Sequence, residues 1–153
     1  MICSPPPATI DNEGIMANKL KAVTGVYLAV AAVAFTALGV NGLLNPVNAI
    51  AAVGLRTDGV DGLNEARATY GGLHLALAVF IAAGLRLRQA RNASISAVIA
   101  ICGGLATGRI GSVIADGLPN ANMVGWLALE VVAALIGGLL LWRSNRDRSR
   151  SGS

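Results

Sequence analysis

The sequence predicts an all-α protein: a four-helix transmembrane bundle with both termini in the cytoplasm and a short interfacial helix between the first and second spans. Two observations carry the prediction. Hydrophobic residues make up 54% of the 153-residue chain and charged residues only 13%, about half the charged share of a soluble domain. The hydrophobic residues also fall into four runs long enough to cross a bilayer, for which about 20 residues suffice. Aromatics are only 4%. The apolar mass is therefore Ala, Leu, Val, Ile and Gly, a mixture suited to close helix packing in lipid.

The first run, 22–44, carries no charge. A cleavable signal peptide would have a shorter apolar stretch of about 7 to 15 residues, and Val40-Asn41-Gly42 is a poor cleavage site, so a retained span is expected. Asn45-Pro46 then opens a segment that Gly54 closes. Asn as N-cap and Pro at the first helical position predict a short helix at the membrane surface. Asp58-Gly59 and Asp61-Gly62 read as turns.

The second span is expected over 64–85, with a polar start from Asn64 to His74 and an apolar remainder. Glu65 near its beginning complements the helix dipole. After the basic turn of Arg86, Arg88 and Arg91, the third span covers 93–115 and holds one charge, Arg109. The sequence Asp116-Gly117-Leu118-Pro119-Asn120 forms a turn, and the fourth span covers 122–142 with one charge, Glu130.

The membrane domain is thus 19–142, between a disordered tail of 1–18 and a disordered basic tail of 143–153. Met16 resembles a natural start for a membrane protein, which would make residues 1–15 an extension.

Charge orients the bundle. With four spans, Lys19, Lys21, Arg86, Arg88, Arg91, Arg143, Arg146, Arg148 and Arg150 share one side, nine of the twelve basic residues. The positive-inside rule makes that side cytoplasmic. A three-span arrangement would put 86–91 on the wrong side and leave 75–85 exposed. The net charge of +4 and pI of about 9.7 follow from this flanking pattern and do not indicate nucleic-acid binding. Cys3 and Cys102 are too far apart in character to pair, one in a tail and one in an apolar run. Cys102 reads as a small packing residue.

The polar residues inside the spans concentrate in one half. On an α-helix Arg67, Tyr70 and His74 share a face, within roughly two to three turns of the outer end. Arg109 and Glu130 each lie roughly two turns below the outer ends of their helices. Asn41 and Asn45 sit at the outer end of the first span. A charge at mid-helix costs about 2.5 to 3.5 kcal/mol on insertion scales, so pairing is expected: Arg109 with Glu130, and Arg67 with Glu65 or Glu130. Glu65, Arg67, Tyr70, His74, Arg109, Glu130 and Asn41 then form a polar pocket in the outer leaflet. Buried ion pairs can equally serve only to fix helix register. A lone histidine is more often a hydrogen-bonding residue than a ligand, and Tyr70 alone is a packing residue. No metal site or cofactor site is expected.

Gly104, Gly108 and Ser112 form a small-residue stripe on the third helix, and Gly71-Gly72 and Gly137-Gly138 also permit close backbone approach. The glycines of 103–111 lack the Lys and the strand-loop-helix setting of a phosphate loop. No Ser-His-Asp set, paired histidines or dinucleotide fingerprint occurs, so catalysis is not the expected role.

The stretch Asn64-Glu65-Ala66-Arg67-Ala68-Thr69-Tyr70-Gly71-Gly72 resembles the N-E-x-R-x-x-Y-G-G signature of a family of small bacterial four-helix membrane proteins known only as a domain of unknown function, similar in layout to DoxX-like proteins. Arg109 before Asp116-Gly117 and Glu130 in the last helix fit the same pattern. The resemblance covers about residues 19–142. It implies a four-helix bundle in a bacterial inner membrane and no established activity.

Three functions follow as candidates. The first is binding or moving a small or lipid-like molecule in the polar pocket. The second is an accessory subunit or homo-oligomer that packs against another membrane protein through glycine-lined faces. The third is a membrane-bound oxidoreductase or isomerase, for which no cofactor ligand set is visible.

Overall fold

The computed structural model describes the backbone of residues 9–151 and the side chains of residues 14–146. Every regular element among them is helical. In chain order they are α1 (Thr9–Leu44), α2 (Pro46–Ala51), α3 (Gly59–Ala66), a π-helical segment (Arg67–Leu73), α4 (His74–Arg86), a single 3₁₀ turn (Arg88–Ala90), α5 (Arg91–Asp116) and α6 (Ala121–Ser151). Helical backbone therefore extends into parts of both segments expected as tails. The remaining tail residues, 1–8 and 152–153, lie outside the described residues, as does the structure around Cys3.

Four helices are long and apolar enough to cross a membrane: Gly14–Leu44, Gly59–Arg86, Arg88–Asp116 and Ala121–Arg146. Only 17–28% of their most apolar windows is buried inside the bundle, so hydrocarbon must cover the rest. Val26, Val30, Val33, Val79, Ile114 and Leu135 are among the exposed apolar side chains. In water such a surface would aggregate; in lipid it costs nothing. The protein is a multi-pass, four-span membrane protein.

Packing runs α1 against the π segment and α4, α4 against α5, and α5 against α6, while α1 touches α5 and α6 only sparsely. Leu28, Ala32 and Phe35 of α1 meet Ala78 and Ile81 of α4 and Ile95, Val98 and Cys102 of α5 in one core. Cys102 is a buried free thiol there, consistent with a packing role. Two hydrogen bonds cross this apolar zone. The Tyr27 hydroxyl donates to the Ala133 carbonyl at 2.9 Å and ties α1 to α6. The Ser94 hydroxyl donates to the Phe80 carbonyl at 3.0 Å and ties α5 to α4.

The two ends differ. At the terminal end, Asn92 donates to Asn145 and accepts from Ser144, both at 3.2 Å. Arg146 lies over the Trp142 ring at 5.3 Å, an arrangement suited to a membrane interface. At the loop end, α1 stops before Pro46, whose ring disfavours helical backbone at Asn45; Asn45 has φ −130° and ψ 58°. Its side chain does not cap α2 as the sequence suggested; its amide approaches Asn41 Oδ1 at 3.5 Å instead. Asp61-Gly62, expected as a turn, lies inside α3. There a Cβ at residue 62 would meet the Thr57 side chain, so this glycine serves close approach.

The tightest helix contact is at α1. A Cβ on Gly42 would collide with the Tyr70 carbonyl and, at 2.6 Å, with the Gly71 amide nitrogen. A Cβ on Gly39 would lie 2.9 Å from the Leu75 amide nitrogen, and one on Gly71 2.5 Å from Leu43. Backbone cannot yield as a flexible side chain can. Gly42→Ala is therefore expected to lower stability by about 1–3 kcal/mol through overpacking. Gly108→Ala, with nothing within 4 Å of its new methyl, is expected to stay within about 0.5 kcal/mol. Thermal or SDS unfolding in a mild detergent, followed by circular dichroism, measures both.

Candidate functional site

The polar residues of the loop-end half form two groups. The first is built by the α5–α6 hairpin. Gly117, at φ 93°, ends α5. Asn120 then caps α6 by accepting the Met123 N–H at 3.0 Å. This short connection makes the helices antiparallel neighbours. Arg109 lies about 10 Å back from Asp116, and Glu130 about 13 Å on from Ala121, at 1.5 Å per residue. Their similar depth lets them pair.

Arg109 Nε donates to both carboxylate oxygens of Glu130, at 3.1 and 2.9 Å. The Glu130 side chain is 6% exposed and that of Arg109 26%. Arg109 Nη1 also reaches the Met123 sulfur at 3.3 Å. A buried carboxylate needs such a partner, because desolvation alone would expel the charge. Among the described residues this is the one ion pair.

The second group surrounds the π segment. The Arg67 guanidinium donates through Nε to the Leu43 carbonyl at 3.3 Å. That carbonyl is in the last turn of α1, where intrahelical donors have run out. The expected pairing of Arg67 with Glu65 or Glu130 is not found. Glu65 accepts from the Thr69 hydroxyl one turn on, at 2.6 Å, and Glu130 is taken by Arg109.

His74 Nδ1 lies 3.0 Å from the Thr69 carbonyl. A carbonyl only accepts, so Nδ1 carries a proton in this contact, and Nε2 bonds nothing among the described residues. The ring lies parallel to Tyr70, 12° apart with centroids at 6.2 Å, and is 5.7 Å from Phe35 on α1. The Tyr70 hydroxyl enters no hydrogen bond among the described residues.

The sequence reading placed Arg67, Tyr70 and His74 on one face by α-helical spacing. Residues 67–73 instead wind as a π-helix, which turns more slowly per residue and rotates the faces. π segments occur often at functional sites. Apolar periodicity gives no warning of one. The signal in reach was the adjacent pair Gly71-Gly72.

No hydrogen bond or ion pair joins the two groups among the described residues. The polar residues expected in one layer are thus bonded in two separate sets among the described residues.

Two open concavities lie near the second group. One, of about 500 Å³, follows a face of α1 and is lined by Val33, Thr36, Ala37, Val40, Asn41, Leu44 and Asn45. The other, of about 300 Å³, is lined by residues of α1, α2 and α3 together with Arg67, and shares Leu44 and Asn45 with the first. Of the expected pocket residues, Asn41 lines the first and Arg67 the second. Neither lining includes Tyr70, His74, Arg109 or Glu130. Among the described residues no group of three or more His, Cys, Asp or Glu lies together to hold a metal ion.

Of the expected packing residues, Gly71 does meet a neighbouring helix. Gly72 meets only the Arg67 carbonyl of its own segment, at 3.9 Å, and Gly104 and Gly108 have nothing within 4 Å. Ser112 donates to Asp116 at 2.9 Å. The stripe on α5 thus faces outward. The other glycines that pack across helices, Gly39, Gly42, Gly84 and Gly137, include three the sequence did not single out.

Residues 23–142 match a family described as Domain of unknown function (DUF4345). The chain belongs to that family. No curated protein matches the DUF4345 chain, and no solved structure matches it. The family match spans all four membrane helices and both polar groups.

Removing one partner of the ion pair leaves a buried charge alone. Glu130→Leu is expected to cost about 3–5 kcal/mol, and the double variant Arg109→Met with Glu130→Leu to recover most of it. A double-mutant cycle on unfolding in detergent reads the coupling.

Proposed function

We propose that this protein binds, or moves, a small or lipid-like molecule in the loop-end half of its bundle. The observation that carries the reading is Arg67. Its side chain is exposed and uses only Nε among the described residues. It also lines a concavity that shares two lining residues with an apolar one. A cation in that setting can orient the polar end of an amphiphile whose apolar part lies on α1. Glu65, Tyr70, His74 and Asn41 belong to the same neighbourhood in this reading. Arg109 and Glu130 hold the α5–α6 hairpin beside it.

In this reading the chain sits in a bacterial cytoplasmic membrane with both termini inside. The distribution of Lys and Arg supports that orientation, and the layout is DoxX-like. The loop end then faces away from the cytoplasm.

A second reading has an observation of its own. Gly104 and Gly108 leave an outward face of α5 without bulk, which suits close approach of a helix from another subunit.

Native mass spectrometry of the full chain, purified in mild detergent, separates the two. The first reading expects monomer carrying a bound small mass, and bare monomer counts against it. The second expects a second protein chain on the complex. For orientation, Asp58→Cys in a background lacking Cys3 and Cys102 is expected to react with an impermeant maleimide on intact cells. Reaction only after lysis would reverse the assignment.

A further inference from the structure

The two concavities share Leu44 and Asn45 in their linings, and their levels along the bundle differ. The larger follows α1 over residues 33–44, about 16 Å of helix at 1.5 Å per residue. Half of a hydrocarbon core is about 15 Å thick. Val33, Ala37, Val40 and Leu44 make its wall apolar. Thr36 adds no unmet polarity, because its hydroxyl donates to the Ala32 carbonyl at 2.7 Å.

The smaller concavity lies at the end of this wall and carries Asn45, Asn48 and Arg67. Arg67 stands about 28 Å along its span from Arg86, at 1.5 Å per residue, close to the core thickness of about 30 Å. With the basic turn of 86–91 at one surface, Arg67 is at the headgroup level of the other.

Capping the end of α1 explains the bond from Arg67 Nε to the Leu43 carbonyl. It leaves Nη1 and Nη2 without a protein acceptor among the described residues. The nearby acids do not supply one: Glu65 accepts from Thr69, and no carboxylate forms an ion pair with Arg67. A planar guanidinium with both terminal nitrogens open is suited to the paired oxygens of a phosphodiester.

We infer that this joined groove is a site for an anionic glycerophospholipid of the loop-end leaflet. One acyl chain lies along residues 33–44. The phosphodiester accepts from Arg67 Nη1 and Nη2, with the Asn45 and Asn48 amides as further donors. The inference rests on the lipid-like reading above and adds the class of headgroup and the placement of the chain.

The full chain is reconstituted in nanodiscs of equal phosphatidylglycerol and phosphatidylcholine with matched acyl chains. Lipid retained on the protein after transfer to mild detergent is then counted by native mass spectrometry. The wild type is expected to favour phosphatidylglycerol by about fivefold, the scale of one basic residue at an anionic surface. Arg67→Gln is expected to bring the ratio close to even, and Arg67→Lys to restore part of it, since the charge returns without the fork. Ala37→Trp, on an exposed face of α1, is expected to lower retention of both lipids severalfold with little change in their ratio. Inorganic phosphate alone is expected to displace neither lipid.

Equal retention of the two lipids by the wild type, or an unchanged preference in Arg67→Gln, overturns the anionic assignment. If Ala37→Trp still lowers retention in that case, the lipid-like reading survives. Unchanged retention in Ala37→Trp overturns the groove as the site of the chain, and the lipid-like reading with it. Displacement by inorganic phosphate overturns the two-part site.

Discussion

Hydrocarbon offers no hydrogen-bond partner, so every polar group placed in it must find one within the protein. That constraint organises the bundle. Helices satisfy their own backbones, and the few polar side chains between them are spent on each other or on stray carbonyls. Tyr27 reaches Ala133, Ser94 reaches Phe80, and Arg109 and Glu130 hold one another. The last is the costliest to break, because either partner alone would be a bare charge in a medium that cannot solvate it. It also fixes the α5–α6 hairpin, since the two residues meet only in the register that Asn120 and Gly117 set.

The other side of the bundle is held differently. Where α1 crosses the π segment, the contact is backbone against backbone, with Gly42 opposite Tyr70 and Gly71. Lipid provides no hydrophobic drive for helix association, so close van der Waals approach must supply it. The wider π turn brings its own needs, and His74 answers one by bonding the Thr69 carbonyl. Arg67, in the same segment, answers a need of α1 by donating to the Leu43 carbonyl at its end. Residues that read as a binding site in the sequence are thus first engaged in closing the protein's own backbone. What they leave over, the outer nitrogens of Arg67 and the Nε2 of His74, is what a ligand could use.

The loop-end half is therefore asymmetric in how its charges are held. The α5–α6 side has its charge neutralised and its carboxylate buried. The α1 side keeps Arg67, which forms no ion pair among the described residues, next to an apolar surface. A membrane protein that recruits an amphiphile needs those two properties side by side.

Four apolar runs were enough to state the number of spans, and Asn45-Pro46 with Gly54 to state the short helix after the first. The Arg109–Glu130 pair was also legible, because helix rise converts sequence distance from a turn into depth, and two lone charges at one depth have strong reason to meet. Sequence could not place the other polar residues. Depth counting says how far a residue lies along the membrane normal but not how far around the bundle, and an α-helical wheel fails where the helix is π. For the same reason a stripe at every fourth residue marked Gly104 and Gly108 as a contact face, while the tertiary structure turned that face outward and put Gly39 and Gly42 in the contact instead. Which face of a helix is turned toward a neighbour is settled by the neighbours, and a surrounding medium as apolar as the interior leaves little trace of that choice in the pattern of hydrophobic residues.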